Sequence, residues 1–150
     1  IFSIGVLHHT PNPEESFKSL IQYLKKGGSI SISVYNKGAI LYEWSKRLRK
    51  HSIKMNHKTL YFICKIACRI LYPLYRLPIL KLLIHYVPID MHPNYDWRLL
   101  NTFDAYSPVH ASTHTYPEVY NWFKTNQLTS LDLLPAPVSV RGEKTDNEKI

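Results

Sequence analysis

Glycine and cysteine are scarce in this chain of 150 residues, with five of the first and two of the second. No glycine falls in a GxGxxG or GxGxG run, so these residues contain no glycine-rich loop able to cradle a dinucleotide or phosphate. Two cysteines are too few for a disulfide framework, and the single CxxxC spacing of Cys64 and Cys68 is not a zinc pattern. Four apart on a helical stretch, they read as two reduced thiols on one face, which favours a reducing compartment and an expected cytoplasmic location. Long apolar runs are also missing. Lys65, Arg69, Arg76 and Lys81 interrupt every window long enough to span a bilayer, which argues against a transmembrane helix. Acids are nearly absent from one block: between Lys37 and Lys81 eleven Lys or Arg face Glu43 alone. That segment carries +10, and the rest sums to −2 of the net +8. There is no internal repeat and no low-complexity tract.

What is present suits a globular chain. Hydrophobic content of 45% and charged content of 20% argue against wholesale disorder, and the length suits one domain with a sizeable core. Residues 1–7, IFSIGVL, form an apolar run with little alternation, which predicts a strand buried on both faces of a parallel sheet; Gly5 within it suggests a close backbone approach. A helix follows, with Asn12 as cap, Pro13 in the first turn beside Glu14 and Glu15, and an apolar face of Phe17, Leu20, Ile21 and Leu24. Lys25-Lys26-Gly27-Gly28 is expected to close it, and SISISVY (29–35) to form the next strand. Strand, helix and strand over residues 1–36 predict a parallel βαβ unit.

Residues 37–89 predict a basic helical insert acting as a cap or lid. Ile40, Leu41, Trp44 and Leu48 mark one helix, residues 60–71 a second reaching Pro73, and Ile79–Val87 a third. Residues 90–115 read as irregular. Thr115 and Glu118 then make a capping box for a helix whose inward face is Tyr116, Val119, Tyr120 and Phe123, ended by Asn126. LTSLDLL (128–134) and VSVRG (138–142), separated by Pro135-Ala136-Pro137, predict an antiparallel hairpin, with a polar, frayed tail over 143–150. The expected fold class is α/β, a partial doubly wound, mostly parallel sheet with a helical insert and a carboxyl-terminal β-hairpin.

This order, joined to the words GVLHHTPNPEESFKSLIQYLKKGGSISISVY, resembles the class I S-adenosylmethionine-dependent methyltransferases. In that family a strand ends in a "vLhH" segment, the next helix opens on acids and closes with "LKPGG", and a strand follows directly; here Lys26 stands in place of the usual proline. YSPVHASTHTYPEVYNWFKTNQL and VSVRGEK resemble further stretches found in a subset of these enzymes. The resemblance covers residues 1–36 well and 104–144 less closely. It implies a Rossmann-like sheet whose last strand is antiparallel to the others, and S-adenosyl-L-methionine as cofactor. The family's glycine-rich loop and its ribose-holding acid have no counterpart here. The expectation is therefore the carboxyl-terminal part of such an enzyme, inactive by itself.

The resemblance places Ser3, Ile4, Gly5, Val6 and Leu7 along the cofactor, in agreement with the rule that open α/β sheets bind ligands at the carboxyl ends of their strands. The alternative is that Ser3 and Gly5 only pack against the next helix. His8 and His9 are candidates for substrate contact or for a general base, or else support the turn before Pro11; adjacent residues leaving a strand point opposite ways, so one at most is expected to face the site. Tyr106, His110 and His114 are candidates for substrate contact, with a surface loop as the alternative. His110 and His114 have the spacing of a metal pair but no acid between them and no third ligand, so no metal is expected.

The basic insert is open to three readings: a solvated face, amphipathic helices over residues 37–86 lying on an anionic membrane, or nucleic-acid binding, for which no recognition motif is present. The leading expectation is a methyltransferase acting on a small-molecule or lipid-like acceptor. Its competitor is a non-catalytic α/β module whose basic helices dock on a membrane surface or a partner. An enzyme of another doubly wound family, such as a dehydrogenase, comes third.

Overall fold

The computed structural model describes residues 1–136 and 138–145. The chain is α/β and divides into two compact units, Ile1–Lys37 with His110–Ile150, and Gly38–Val109.

The first unit carries a four-stranded mixed sheet of β1 (Phe2–Ile4), β2 (Ser29–Ser33), β3 (Leu128–Leu134) and β4 (Ser139–Lys144), in the order β1-β2-β4-β3. The expected parallel pairing of β1 and β2 is observed, as is the antiparallel hairpin of β3 and β4. β4 also pairs antiparallel with β2, so the last strand opposes the other three. Two helices belong to this unit, α1 (Pro13–Gln22) and α5 (Tyr116–Thr125). Asn12 caps α1 by accepting from Glu15 N–H, and Thr115 with Glu118 forms the full capping box of α5. The pleat sends Ile30, Ile32 and Val34 of the β2 region to one face, where they are buried with Phe17, Ile21, Val119, Phe123 and Val140.

Several local expectations are corrected. β1 is not buried on both faces: Phe2 and Ile4 are 84% and 68% exposed, because this strand ends the sheet, pairs on one side only, and turns only Ser3 inward. Helix α1 stops at Gln22, so Lys25 and Lys26 lie beyond it and Gly27, at φ +68°, turns the chain into β2 rather than capping the helix. On α5 the third inward residue is Trp122, and Tyr120 is exposed. β4 runs on through Glu143 and Lys144, which the tail was expected to contain, and Lys144 N–H donates to Gly28 O at 2.9 Å. Pro137 and the remaining tail, residues 146–150, lie outside the described residues.

The second unit is helical, with α2 (Ile40–Ser52), α3 (His57–Tyr75) and α4 (Tyr95–Tyr106). Leu60, Cys64, Cys68, Leu99, Ala105 and Tyr106 form its core, with Leu41, Leu48 and Phe103 packed against it. The two cysteines are buried free thiols on the inner face of α3. α3 continues past Pro73 to Tyr75, and the third predicted helix is a short 3-10 turn, Lys81–His85, with no buried residue.

Helix α4 corrects the irregular reading of residues 90–115. Asn94 caps it through Asp96 N–H and Trp97 N–H, and its buried face includes Arg98 and Thr102. Those two polar residues break the apolar period by which a helix is recognised. Not every basic side chain is solvated. Arg49 is buried and donates to Ala105 O at 3.2 Å and Ser45 Oγ at 3.1 Å, and the Arg98 guanidinium lies 3.6 Å from the Tyr72 ring centroid. No helix among the described residues is long and apolar enough to cross a membrane.

Candidate functional site

At the carboxyl end of β1 the chain leaves the sheet through Gly5, whose φ of +74° lies in the left-handed region that glycine adopts readily. Its N–H still donates to Ser33 O at 3.0 Å, extending the ladder to β2 by one bond. A Cβ built on Gly5 meets nothing within 4 Å, so the glycine serves a turn and not the expected close backbone approach. A 3-10 turn over Leu7–His9 follows, with Leu7 sunk into the core and Thr10 Oγ1 donating to Leu7 O at 2.7 Å. Ser3 and Leu7 thus point inward, whereas the side chains of Ile4 and Val6 are exposed.

The two histidines meet edge to edge. His8 Nε2 and His9 Nε2 are 3.1 Å apart, and His9 Nδ1 lies 3.0 Å from His110 O. A carbonyl only accepts, so His9 Nδ1 is the donor in that bond. A neutral His9 then accepts at Nε2 from the Nε2–H of His8. This leaves His8 Nδ1 as a buried lone pair with no hydrogen-bond partner. His8 is itself buried and stacks on Tyr35, with ring centroids 3.6 Å apart. Burial first, and then the neighbouring His9 and His114, push the His8 pKa from its ordinary 6.5 down to about 3.

The segment before α5 closes over this pair. Ser112 N–H donates to His8 O at 2.9 Å, and Ser112 Oγ lies 2.8 Å from His114 Nε2. His114 N–H donates to Tyr35 O at 2.8 Å and Lys37 N–H to His114 O at 2.8 Å, so residue 114 sits beside the outgoing end of β2 as a one-residue parallel bridge. The His114 ring stands edge-on to Trp122, with its Nδ1 3.8 Å from Glu118 Oε2. The Thr115 N–H holds the Glu118 carboxyl below its usual range, helped by Lys37 and His114.

On the open face of the sheet a cavity of about 260 Å³ is lined by Ile4, Ser31, Ser33, Leu134, Ala136 and Ser139. The Ser139 hydroxyl is buried there without a hydrogen-bond partner.

Gly5, His8, His9, His110 and His114 are therefore gathered at one end of the sheet, although a hundred residues separate the two groups. Tyr106 is not among them. It lies in the core of the helical unit, where its hydroxyl donates to Pro88 O at 2.7 Å. Tyr35 and Ser112 belong to the cluster and were missed; Tyr35 ends the SISISVY run at the carboxyl end of a strand, which was the available signal. Among the described residues no group of three or more His, Cys, Asp or Glu is arranged to hold a metal ion. No known family model, no curated protein and no solved structure matches the chain.

Proposed function

We propose that the chain is the carboxyl-terminal part of a class I S-adenosylmethionine-dependent methyltransferase acting on a small-molecule or lipid-like acceptor. One observation carries this reading. The words GVLHHTPNPEESFKSLIQYLKKGGSISISVY fold as a parallel β1–α1–β2 unit in a sheet whose final strand opposes all the others, which is the arrangement the resemblance implies. A methyltransferase-like Rossmann sheet is the finer fold proposed.

The residues at the end of β1 suit the cofactor in unequal ways. Ile4 and Val6 offer exposed apolar side chains, and Gly5 leaves open space in front of the strand. Ser3 and Leu7, turned inward, have only backbone groups to offer. When bound, S-adenosylmethionine supplies an electrophilic methyl carbon on a sulfonium. The chain's own task is to position the acceptor and exclude water from it. His8, held neutral by burial, buttresses His9 and serves poorly as a base near neutral pH. His9, its Nδ1 fixed on the His110 carbonyl and its Nε2 taken by His8, serves as an acceptor contact rather than a base, with exposed His110 and anchored His114 flanking it. Tyr106, buried in the helical unit with its hydroxyl committed to Pro88 O, is left out of the proposed acceptor contacts.

Calorimetry on the full-length gene product tests the proposal. S-adenosylmethionine is expected to bind, and Gly5→Trp to weaken it at least tenfold by filling the space before β1. Unchanged affinity in the variant removes this placement of the site; no binding by the wild type removes the methyltransferase reading. The coding sequence ahead of Ile1 is an independent check. It is expected to encode a strand and a glycine-rich loop, with an acid roughly 20 residues further on.

A second reading, a module docking on a membrane, draws support from the helical unit. Phe62, Ile66 and Ile70 recur every four residues along α3 and are exposed, as are Ile79, Leu82 and Tyr86, all within the basic insert of residues 37–89. Such apolar side chains amid lysine and arginine suit an anionic lipid surface.

A further inference from the structure

Inside the helical unit, α2, α3, α4 and the segment Val87–Ile89 enclose a cavity of about 200 Å³. Its walls are apolar: Leu48, Leu60, Ile63, Ala67, Val87 and Ile89 supply most of them. Apart from His51, the polar side chains of the wall are engaged in hydrogen bonds. Ser52 Oγ donates to Tyr106 O at 2.7 Å, Tyr106 Oη to Pro88 O at 2.7 Å, and Thr102 Oγ1 accepts from Asp90 N–H at 2.9 Å. Burial pushes the Cys64 thiol up to about 12, so it too stays neutral. The cavity therefore offers His51 as its one polar group not already engaged and has too few polar partners to hold water; engineered apolar cavities of about 150 Å³ stay dry and accept small hydrocarbons. It opens where Met55, Ile63 and Val87 are partly exposed. His51 lines the cavity beside Met55; Lys50, Lys54 and Lys58 are exposed in the same stretch of chain, and the single acid of the basic block, Glu43, is paired with Lys46 at 2.8 Å.

We propose that this cavity takes the tail of a medium-length fatty acyl chain, with its carboxylate at the basic mouth. The apolar wall selects the alkyl tail, and the excess of lysine selects an anionic head. The site stands on the helical unit alone and requires neither the cofactor nor methyl transfer.

Calorimetry of the full chain with octanoate, decanoate and dodecanoate, each below its micellar concentration, tests it. One-site binding that tightens with chain length is expected. Ala67→Leu, which fills the cavity with a good helix former, is expected to weaken dodecanoate at least tenfold without lowering the thermal midpoint. Lys54→Glu is expected to weaken dodecanoate several-fold and leave uncharged dodecanol unchanged. Absence of saturable binding by the wild type overturns the site, as does equal affinity in the folded Ala67→Leu protein. Should Ala67→Leu fail to fold, Ile63→Ala widens the wall instead and is expected to shift the preference to longer chains; an unaltered chain-length profile overturns the site. Binding of both proteins to phosphatidylglycerol vesicles, with no response to free dodecanoate, assigns the affinity to the surface and overturns the cavity.

Discussion

His8 and His9 are chemically identical neighbours kept in different surroundings. Leu7 anchors the 3-10 turn in the core and draws His8 under the Tyr35 ring, while His9 stays half-buried with Nδ1 on the His110 carbonyl. Charging His8 in that setting costs desolvation, so folding and proton uptake by His8 oppose each other. The folded pKa of about 3 lies below the ordinary 6.5, so the unfolded chain binds the proton first as pH falls. Stability is expected to be unaffected by His8 above pH 6.5 and to decline from there towards pH 3, with a ceiling of about 1.4 kcal/mol per pH unit for one proton. Urea unfolding of wild type and His8→Phe at pH 8 and pH 5 checks this: the variant should lose less stability between the two. Equal losses would mean that His8 is protonated in the fold.

At the scale of elements, the ends of helices carry most of the local information. Asn12, Asn94 and Thr115 each place a side-chain oxygen where otherwise unpaired N–H groups need an acceptor. Thr115 matters most, since the residue before it bridges to Asn36 and the helix after it carries Val119, Trp122 and Phe123 into the core. Thr115→Ala is expected to cost about 1 kcal/mol of stability in urea unfolding, and Thr115→Ser a few tenths. Equal stability of the alanine variant would show that Glu118 alone caps the helix. The caps at Asn12 and Thr115 were legible because a cap depends on residues within a turn of each other. The end of α1 was not. Lys25-Lys26-Gly27-Gly28 reads as a helix terminus, yet Leu24 must reach the core and Gly27 N–H donates to Lys144 O at 2.8 Å, a partner 117 positions away. α4 escaped notice for a related reason: its inner face contains Arg98, which is accommodated because its guanidinium donates to His92 O at 2.6 Å and lies over the ring of Tyr72 from another helix.

For the whole molecule, the uneven distribution of charge along the chain is the feature with the widest consequence. The block from Lys37 to Lys81 carries +10, and apolar side chains such as Phe62 and Ile79 stand exposed within or beside the same helices. Attraction to an anionic bilayer acts over a Debye length of about 10 Å at 0.1 M salt and about 3 Å at 1 M. Sedimentation with phosphatidylglycerol vesicles is expected to show binding at low salt that falls steeply at high salt, and Phe62→Asp to weaken it at both. Salt-independent partitioning, or none, would leave the basic block as a solvated face.

The sequence by itself determined what neighbouring residues decide. It specified the βαβ unit, the caps of α1 and α5, the hairpin, the inward face of α1 and the location of the positive charge, but not the inner face of α3, where Ile63 and Ile70 are exposed and Cys64 and Cys68 are buried. Backbone hydrogen bonding and side-chain periodicity act within a few residues, so their marks are written consecutively. Only the tertiary structure decided which side of β1 is covered, which of two adjacent histidines is buried, and that His8, Tyr35, Ser112 and His114 share one end of the sheet while Tyr106 lies in the other unit. It alone revealed the apolar cavity of the helical unit, because a cavity is bounded by side chains from segments as distant as Leu48 and Tyr106. Those outcomes depend on packing between segments far apart in the chain, which no local pattern encodes.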